Sequence, residues 1–320
     1  MTKSRFGLFV LAAMLVVAIA GSVLPGAEPH RRPGSRPVPS GPAPAQETGD
    51  AAQMAVVWST VRASLAARLE AARLEAARRA RAAHRHHGPV TTRLCRQYQH
   101  VAATGTHGAR LVVRNDSYGG SPECLTNVNR WANFLVASSA AHHAGREPVA
   151  YPDIFYGCSW GVCSKGTTLP RRLSRLRDPV TSWYTAGNPP GQWDAAYDIW
   201  FARRPFTDGQ DHGAEVMLWL RSGGLSRPSA AHSLLIDGRR WQLDHWITRN
   251  PASGDRWPLI IFRMTRPCGY VRHLALMPFF RRVEELGLLH RSWWLTAVEA
   301  GFEVWRGGTG LRTTSFWVRT

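Results

Sequence analysis

Lysine is nearly absent from this chain: almost all of its 40 basic side chains are arginine. Acidic residues are scarce too, 22 in all, so the net charge is +18. Such an excess invites a nucleic-acid partner. Yet RNA-binding, zinc-finger and helix-turn-helix signatures are all missing, and the arginines are spread along the whole length. The charge is therefore read as that of a generally cationic exported protein, with no nucleic-acid partner. There is no βαβ rhythm, which excludes a Rossmann fold or a TIM barrel. Nor does any apolar run reach the ~20 residues of a spanning helix. The longest stretch, Phe6 to Ala20, follows Lys3 and Arg5 and ends at a small-residue site, Ala18-Ile19-Ala20. Residues 1–24 read as a secretory signal, with an uncleaved membrane anchor as the alternative.

Cysteine is the other scarce residue, with five copies: Cys95, Cys124, Cys158, Cys163 and Cys268. Export permits disulfides, although sequence alone does not fix their connectivity. Cys158 and Cys163 flank "SWGV" and could close locally; Cys95 and Cys124 would then pair, leaving Cys268 odd. A zinc site at "CSWGVC" is the rival, but no second close-spaced Cys or His pair accompanies it. Metal is therefore not expected there. His84, His86 and His87 read as an exposed His-rich linker before they read as metal ligands.

Four textures divide the chain. After the signal, residues 25–50 are a Pro-rich segment with too little apolar area to order itself. Residues 51–87 turn to Ala, Leu, Glu and Arg, with Val57, Val61, Leu65 and Leu69 every four residues and Glu75 at helical spacing from Arg78 and Arg79. They read as a helical stalk, a spacer or a coiled-coil element. From residue 88 to residue 320, short β-branched and aromatic runs alternate with Gly, Pro, Asn and Asp. Of 14 tryptophans, all but Trp58 lie here. "IDGRRWQL" carries an Asp-Gly hairpin signal. One helix is predicted in "MPFFRRVEELGLLH", with Phe279, Val283, Leu286 and Leu289 in phase. The fold expected is all-β: a two-sheet jelly-roll sandwich with one short helix.

Strand alternation singles out three acids. In "EVMLWL", Glu215, Met217 and Trp219 share one face, and Val216, Leu218 and Leu220 the other. In "GFEVWRGG", Glu303 and Trp305 share a face. In "YDIWFA", Asp198 and Trp200 do. Each strand thus sets a carboxylate among aromatic or apolar neighbours. That combination suits carbohydrate: sugar C–H faces stack on indole rings, hydroxyls hydrogen-bond to acids, and two opposed carboxyls can cleave a glycosidic bond.

At these residues the sequence resembles glycoside hydrolase family 12, small β-jelly-roll endoglucanases and xyloglucanases. "EVMLWL" resembles that family's nucleophile strand, and "GFEVWRGG" its acid/base strand with a glycine-rich turn behind it. "YDIW" matches its Tyr-Asp strand. "AYPDIFYGCSWG" and "TTLPRRLSRLRDPVTSW" resemble its Tyr-Pro and Ser-Trp strands, and Cys95 with Cys124 its early cysteine pair. The match runs over about residues 93 to 320. It departs at "NDSYGG", where the family has Asn-x-Trp-Gly, and in the basic stretch from Arg256 to Arg291; the N-terminal stalk lies outside it.

The resemblance implies a retaining endo-β-1,4-glucanase. Glu215 would be the nucleophile, Glu303 the general acid/base, and Asp198 the residue that tunes Glu215. Met217 and Trp219 would pack at the reactive subsite, and Tyr118 and Trp160 would be sugar platforms, with Asn115 also in the cleft. The substrate expected is a β-glucan: plain β-1,4, mixed-linkage or xyloglucan. No cofactor is required, and the enzyme is expected to act as an extracellular monomer, with membrane or cell-wall association through its N-terminus. The rival function is a non-catalytic wall-polysaccharide-binding jelly roll.

Overall fold

The computed structural model describes residues 91–320, apart from 106–107, 129–130, 206–207, 209–211, 227–232 and 251–252. The expected signal, linker, helical stalk and histidine cluster lie outside the described residues. Among the described residues no helix is long and apolar enough to cross a membrane.

The strands are β1 Thr91–Leu94, β2 His100–Thr104, β3 Arg110–Arg114, β4 Glu123–Val128, β5 Phe134–Ser139 and β6 Ala141–His142. Then come β7 Asp153–Ser159, β8 Val162–Cys163, β9 Arg171–Arg172, β10 Val180–Ala186, β11 Gly191–Ala202 and β12 Ala214–Gly223. The last are β13 Leu234–Ile236, β14 Arg239–Arg249, β15 Arg256–Met264, β16 Tyr270–Ala275, β17 Trp294–Gly301, β18 Val304–Gly307 and β19 Arg312–Arg319. The helix α1 spans Met277–Glu285.

Two sheets form, as expected for a jelly roll. One orders β1-β4-β5-β19-β10-β16; the other orders β13-β14-β15-β12-β11-β17-β7-β3-β2, with β18 attached to β11 and β6. The neighbours in both sheets are antiparallel except β12 and β15, which run parallel with Glu215 opposite Leu259. Between the sheets lies a continuous apolar core containing Trp183, Trp193, Tyr197, Phe262, Phe302 and Phe316. Alternation puts one side of each large-sheet strand into it. β11 contributes Trp193, Ala195, Tyr197, Ile199 and Phe201; β12 contributes Val216, Leu218 and Leu220. The intervening residues point to the opposite face, which is where the acids are.

The local signals account for the turns. Asp237 and Gly238 both hold positive φ, 48° and 70°, as a two-residue hairpin of primed type requires. α1 buries Met277, Phe279, Phe280 and Val283. Phe279 meets Trp241 and Phe262 edge-on at 5.0 and 5.1 Å. The helix stops earlier than its apolar spacing predicts. Gly287 (φ 71°) turns the chain left-handed. The N–H of Leu288 reaches the carbonyl of Val283, and the N–H of Gly287 that of Glu284. This is a Schellman end; Leu289 still joins the core from beyond the helix.

Both expected cysteine pairs are closed, Cys95–Cys124 and Cys158–Cys163, and Cys268 is a free thiol. The local bridge settles "CSWGVC" as a disulfide loop and removes the zinc alternative there.

Candidate active site

The outward face of the large sheet can be read as rows of residues paired across its strands. One row runs Ala297, Trp200, Glu215, Leu259, Trp246 through β17, β11, β12, β15 and β14. The next runs Phe155, Glu299, Asp198, Met217, Ile261, Asp244. A third contains Gly301, Ala196, Trp219 and Arg263. Glu215 and Asp198 thus sit diagonally on neighbouring strands, separated by one row. Ala196, Met217 and Ile261 form a small apolar floor of their own, with Trp219 and Leu259 packed on it. Met217 and Trp219 therefore lie where the alternation predicted.

Glu215 is almost buried, 9% exposed. Its Oε2 accepts a hydrogen bond from the indole N–H of Trp257 at 2.6 Å. Burial raises its pKa, the Trp257 N–H opposes that, and the charge of Glu303 adds to the rise. Asp198 is 7% exposed, and burial lifts its pKa well above the ordinary value, with the Glu215 carboxylate the next cause.

Glu303 lies at the β17–β18 junction, on the far side of β11 from Glu215. Phe302 and Val304 on either side of it are core residues, so its own side chain faces outward. Burial pushes its pKa well up, and the charge of Asp194 pushes it further, while Arg263 pulls it down. Arg263 also lies over the Trp219 ring at 4.7 Å and donates to Asp244 at 2.9 Å. The charges of Glu303 and Glu215 both act on the Tyr118 hydroxyl, whose pKa is raised first by burial. Tyr118 itself is 42% exposed.

Trp160 sits in the disulfide loop with φ 47°, an uncommon conformation for so large a side chain. Trp160 is 42% exposed, and its ring meets Trp200 edge-on at 6.1 Å; Trp200 meets Trp257 at 5.8 Å. A chain of indoles therefore leads from an exposed ring to the residue holding Glu215.

Asn115 is placed differently from expectation. It is wholly buried, and its amide donates to the backbone carbonyls of Arg96 and Glu123. It ties the β3 end to neighbouring segments, so it belongs to the framework and presents no surface to a ligand.

Sequence reasoning missed several groups. Trp257 alternates with Leu259, Ile261 and Arg263 along β15, a pattern present in "RWPLIIFR". Asp194 lies four residues before Asp198 on the same strand face, and it is fully buried. Glu299 pairs directly with Asp198. Arg114 bonds Glu299 at 2.9 Å and Asp153 at 2.5 Å, and lies 3.3 Å from Asp116. One guanidinium thus holds three acids together on the Asp198 side of the sheet. Trp246, 44% exposed, ends the Glu215 row at the β14 edge.

Four similarities bear on this arrangement. The family model for glycosyl hydrolase family 12 matches residues 109–319. A probable cellulase, Cel12b, of Mycobacterium tuberculosis is 29% identical over 153 residues, 47% of this chain and 96% of that protein. Among solved structures, the endoglucanase cel12A from Rhodothermus marinus superposes with a TM-score of 0.63 at 34% identity, covering 71% of this chain and 97% of that one. A metagenome-derived family 12 endoglucanase gives a TM-score of 0.64 at 29% identity, covering 72% and 98%.

Proposed function

Because the chain belongs to glycoside hydrolase family 12, we propose that it is a retaining endo-β-1,4-glucanase that cuts internal bonds of a β-glucan by double displacement. The observation that carries this reading is the placement of the buried Glu215 and the partly buried Glu303 on one sheet face, on either side of β11, with exposed aromatic rings close by. Retention requires carboxyls ~5–5.5 Å apart, one to attack and one to protonate.

The environments divide the roles. Glu215 alone of the pair receives an indole N–H, from Trp257. A hydrogen bond to the ionised form favours that form. We therefore assign Glu215, which burial raises to about 8 against this hydrogen bond, as the group that attacks the anomeric carbon in its ionised form. Glu303 has no donor on its Oε2, and Asp194 adds to the rise in its pKa. It keeps its proton and delivers it to the departing glycosidic oxygen. In the second step Glu303, now ionised, takes a proton from water, which attacks the glycosyl–Glu215 ester and frees the enzyme. Asp198, whose pKa burial and the Glu215 charge both raise, lies beside the nucleophile and can adjust its basicity. Tyr118, Trp160 and Trp219 supply faces for sugar rings, with Met217 beneath.

The β-1,4-glucan preference rests on the resemblance to endoglucanases. Export rests on the signal-like N-terminus, and the two disulfides support an oxidising compartment. The test is reducing-end release from β-1,4-glucan, mixed-linkage glucan and xyloglucan, with Glu215→Gln and Glu303→Gln as controls. Acid–base action alone accounts for ~10²–10⁴-fold, and loss of the nucleophile should cost more. A folded Glu215→Gln protein with near-native activity overturns the assignment. Binding of glucan without cleavage by the wild type favours the non-catalytic reading.

A further inference from the structure

Asp194 is a buried acid that the double displacement leaves without a task. It is fully buried on β11, and its backbone N–H donates to the carbonyl of Glu303 at 3.0 Å. The adjacent pair, Trp193 and Val304, points into the core. Asp194 and Glu303 therefore project together from the opposite face, as cross-strand neighbours whose Cβ atoms lie ~4.5–5.5 Å apart. Both carboxyl oxygens of Asp194 and Oε2 of Glu303 are buried without a well-formed hydrogen bond, and the groups set to bond Asp194 are the carboxyl and backbone of Glu303. An ionised carboxylate buried without a donor is costly. Two carboxyls that face each other in this way relieve that cost only when a proton lies between them, since neither can donate otherwise.

We propose that Asp194 is a positioning residue for the acid proton of Glu303: the two carboxyls share one proton across the β11–β18 junction, and Asp194 holds it on Glu303 until a glycosidic oxygen arrives. The role rests on Glu303 being the acid of the proposed glycosidase. Burial raises both acids, and each carboxyl acts on the other, so the two titrate as a pair. The other groups facing the pair are Asp198 on β11, Arg263 on β15, Glu215 on β12, and Glu147, Tyr118 and Tyr151 on the flanking segments. Only Arg263 is cationic, and it pulls both acids the same way, so it does not decide which of them keeps the proton.

The test is a carboxyl-carbon NMR titration of the full chain, with the Glu303 signal identified by its loss in Glu303→Gln. In the wild type, Glu303 should report two coupled steps. In Asp194→Asn its upper step should fall by at least about one pH unit, because the like charge and the shared proton are gone, while coupling to Glu215 remains. A single isolated step in the wild type overturns the proposal, as does an upper step unmoved in Asp194→Asn. Should Asp194→Asn fail to fold, the reciprocal measurement decides: the Asp194 titration should move by at least about one pH unit in Glu303→Gln, and an unmoved Asp194 titration refutes the pair. The titration proceeds whether or not glucan is cleaved. Failure of the glycosidase reading shows instead as absent reducing-end release from the wild type.

Discussion

Replacing Trp257 by phenylalanine removes one N–H and keeps most of a ring. The indole donates to Glu215 at 2.6 Å and is 7% exposed, so little water competes for the bond. A hydrogen bond to a charged group contributes ~1.5–3 kcal/mol. Since ~1.36 kcal/mol corresponds to one pKa unit, losing it should raise the pKa of Glu215 by about one to two units. The sign follows from which form is favoured: Trp257 stabilises the carboxylate, so its absence favours the protonated acid. A protonated Glu215 cannot attack. The acid limb of kcat/KM, which reports the free enzyme, should therefore move to higher pH by the same ~1–2 units, with the alkaline limb held by Glu303 moving less. The assay is the pH dependence of reducing-end release, with thermal melts of both proteins as the folding control. The phenyl ring preserves much of the edge contact with Trp200, 5.8 Å in the wild type. An acid limb in the same place as the wild type's, in a protein that melts normally, would refute the claim that Trp257 favours the ionised form of Glu215.

Three further outcomes are expected. Asp198→Asn should lower the rate and shift the pH profile, because Asp198 and Glu215 titrate as a coupled pair; an unchanged profile would remove it from the site. Glu123, 2% exposed and pushed by burial up to about 8, holds its proton in the native state and releases it on unfolding between about pH 4.5 and 8. Stability should therefore fall as pH rises through that window, by at most about 5 kcal/mol; Glu123→Gln should shrink the fall in melting temperature between pH 5 and pH 8, and an equal fall in both proteins would disprove it. Phe279→Ala should destabilise by about 3–5 kcal/mol in denaturant titrations, because the ring is wholly buried against Trp241 and Phe262; a loss under about 1 kcal/mol would show that the core collapses into the space.

What could be read from the sequence was what lies within one strand or one turn. Two-residue alternation in "EVMLWL" and "YDIW" sorts Glu215, Met217, Trp219, Asp198 and Trp200 onto one face, and the pairing places them there. The Asp-Gly dipeptide marked the β13–β14 hairpin. What escaped depends on which strands become neighbours. Trp257 reaches Glu215 only because β15 pairs in parallel with β12, across 42 residues. Asp194 gains its meaning from β18, which meets β11 from more than a hundred residues away. Asn115 shows the converse. Its type suggests a ligand contact, while its full burial and two backbone acceptors make it a framework residue. The helix end was missed for a local reason: apolar spacing continues through Leu286 and Leu289, but Gly287 takes the left-handed turn that ends α1.

Two carboxyls that flank one linkage, with Glu215 attacking and Glu303 protonating, invert the anomeric centre twice. Proton NMR of the first product formed from a soluble β-1,4-glucan oligosaccharide, recorded before mutarotation, reads that history. The β-anomer should appear first, with the α-anomer growing in later. An α-anomer at the earliest time point would mean direct attack by water, and Glu215 would not be the nucleophile.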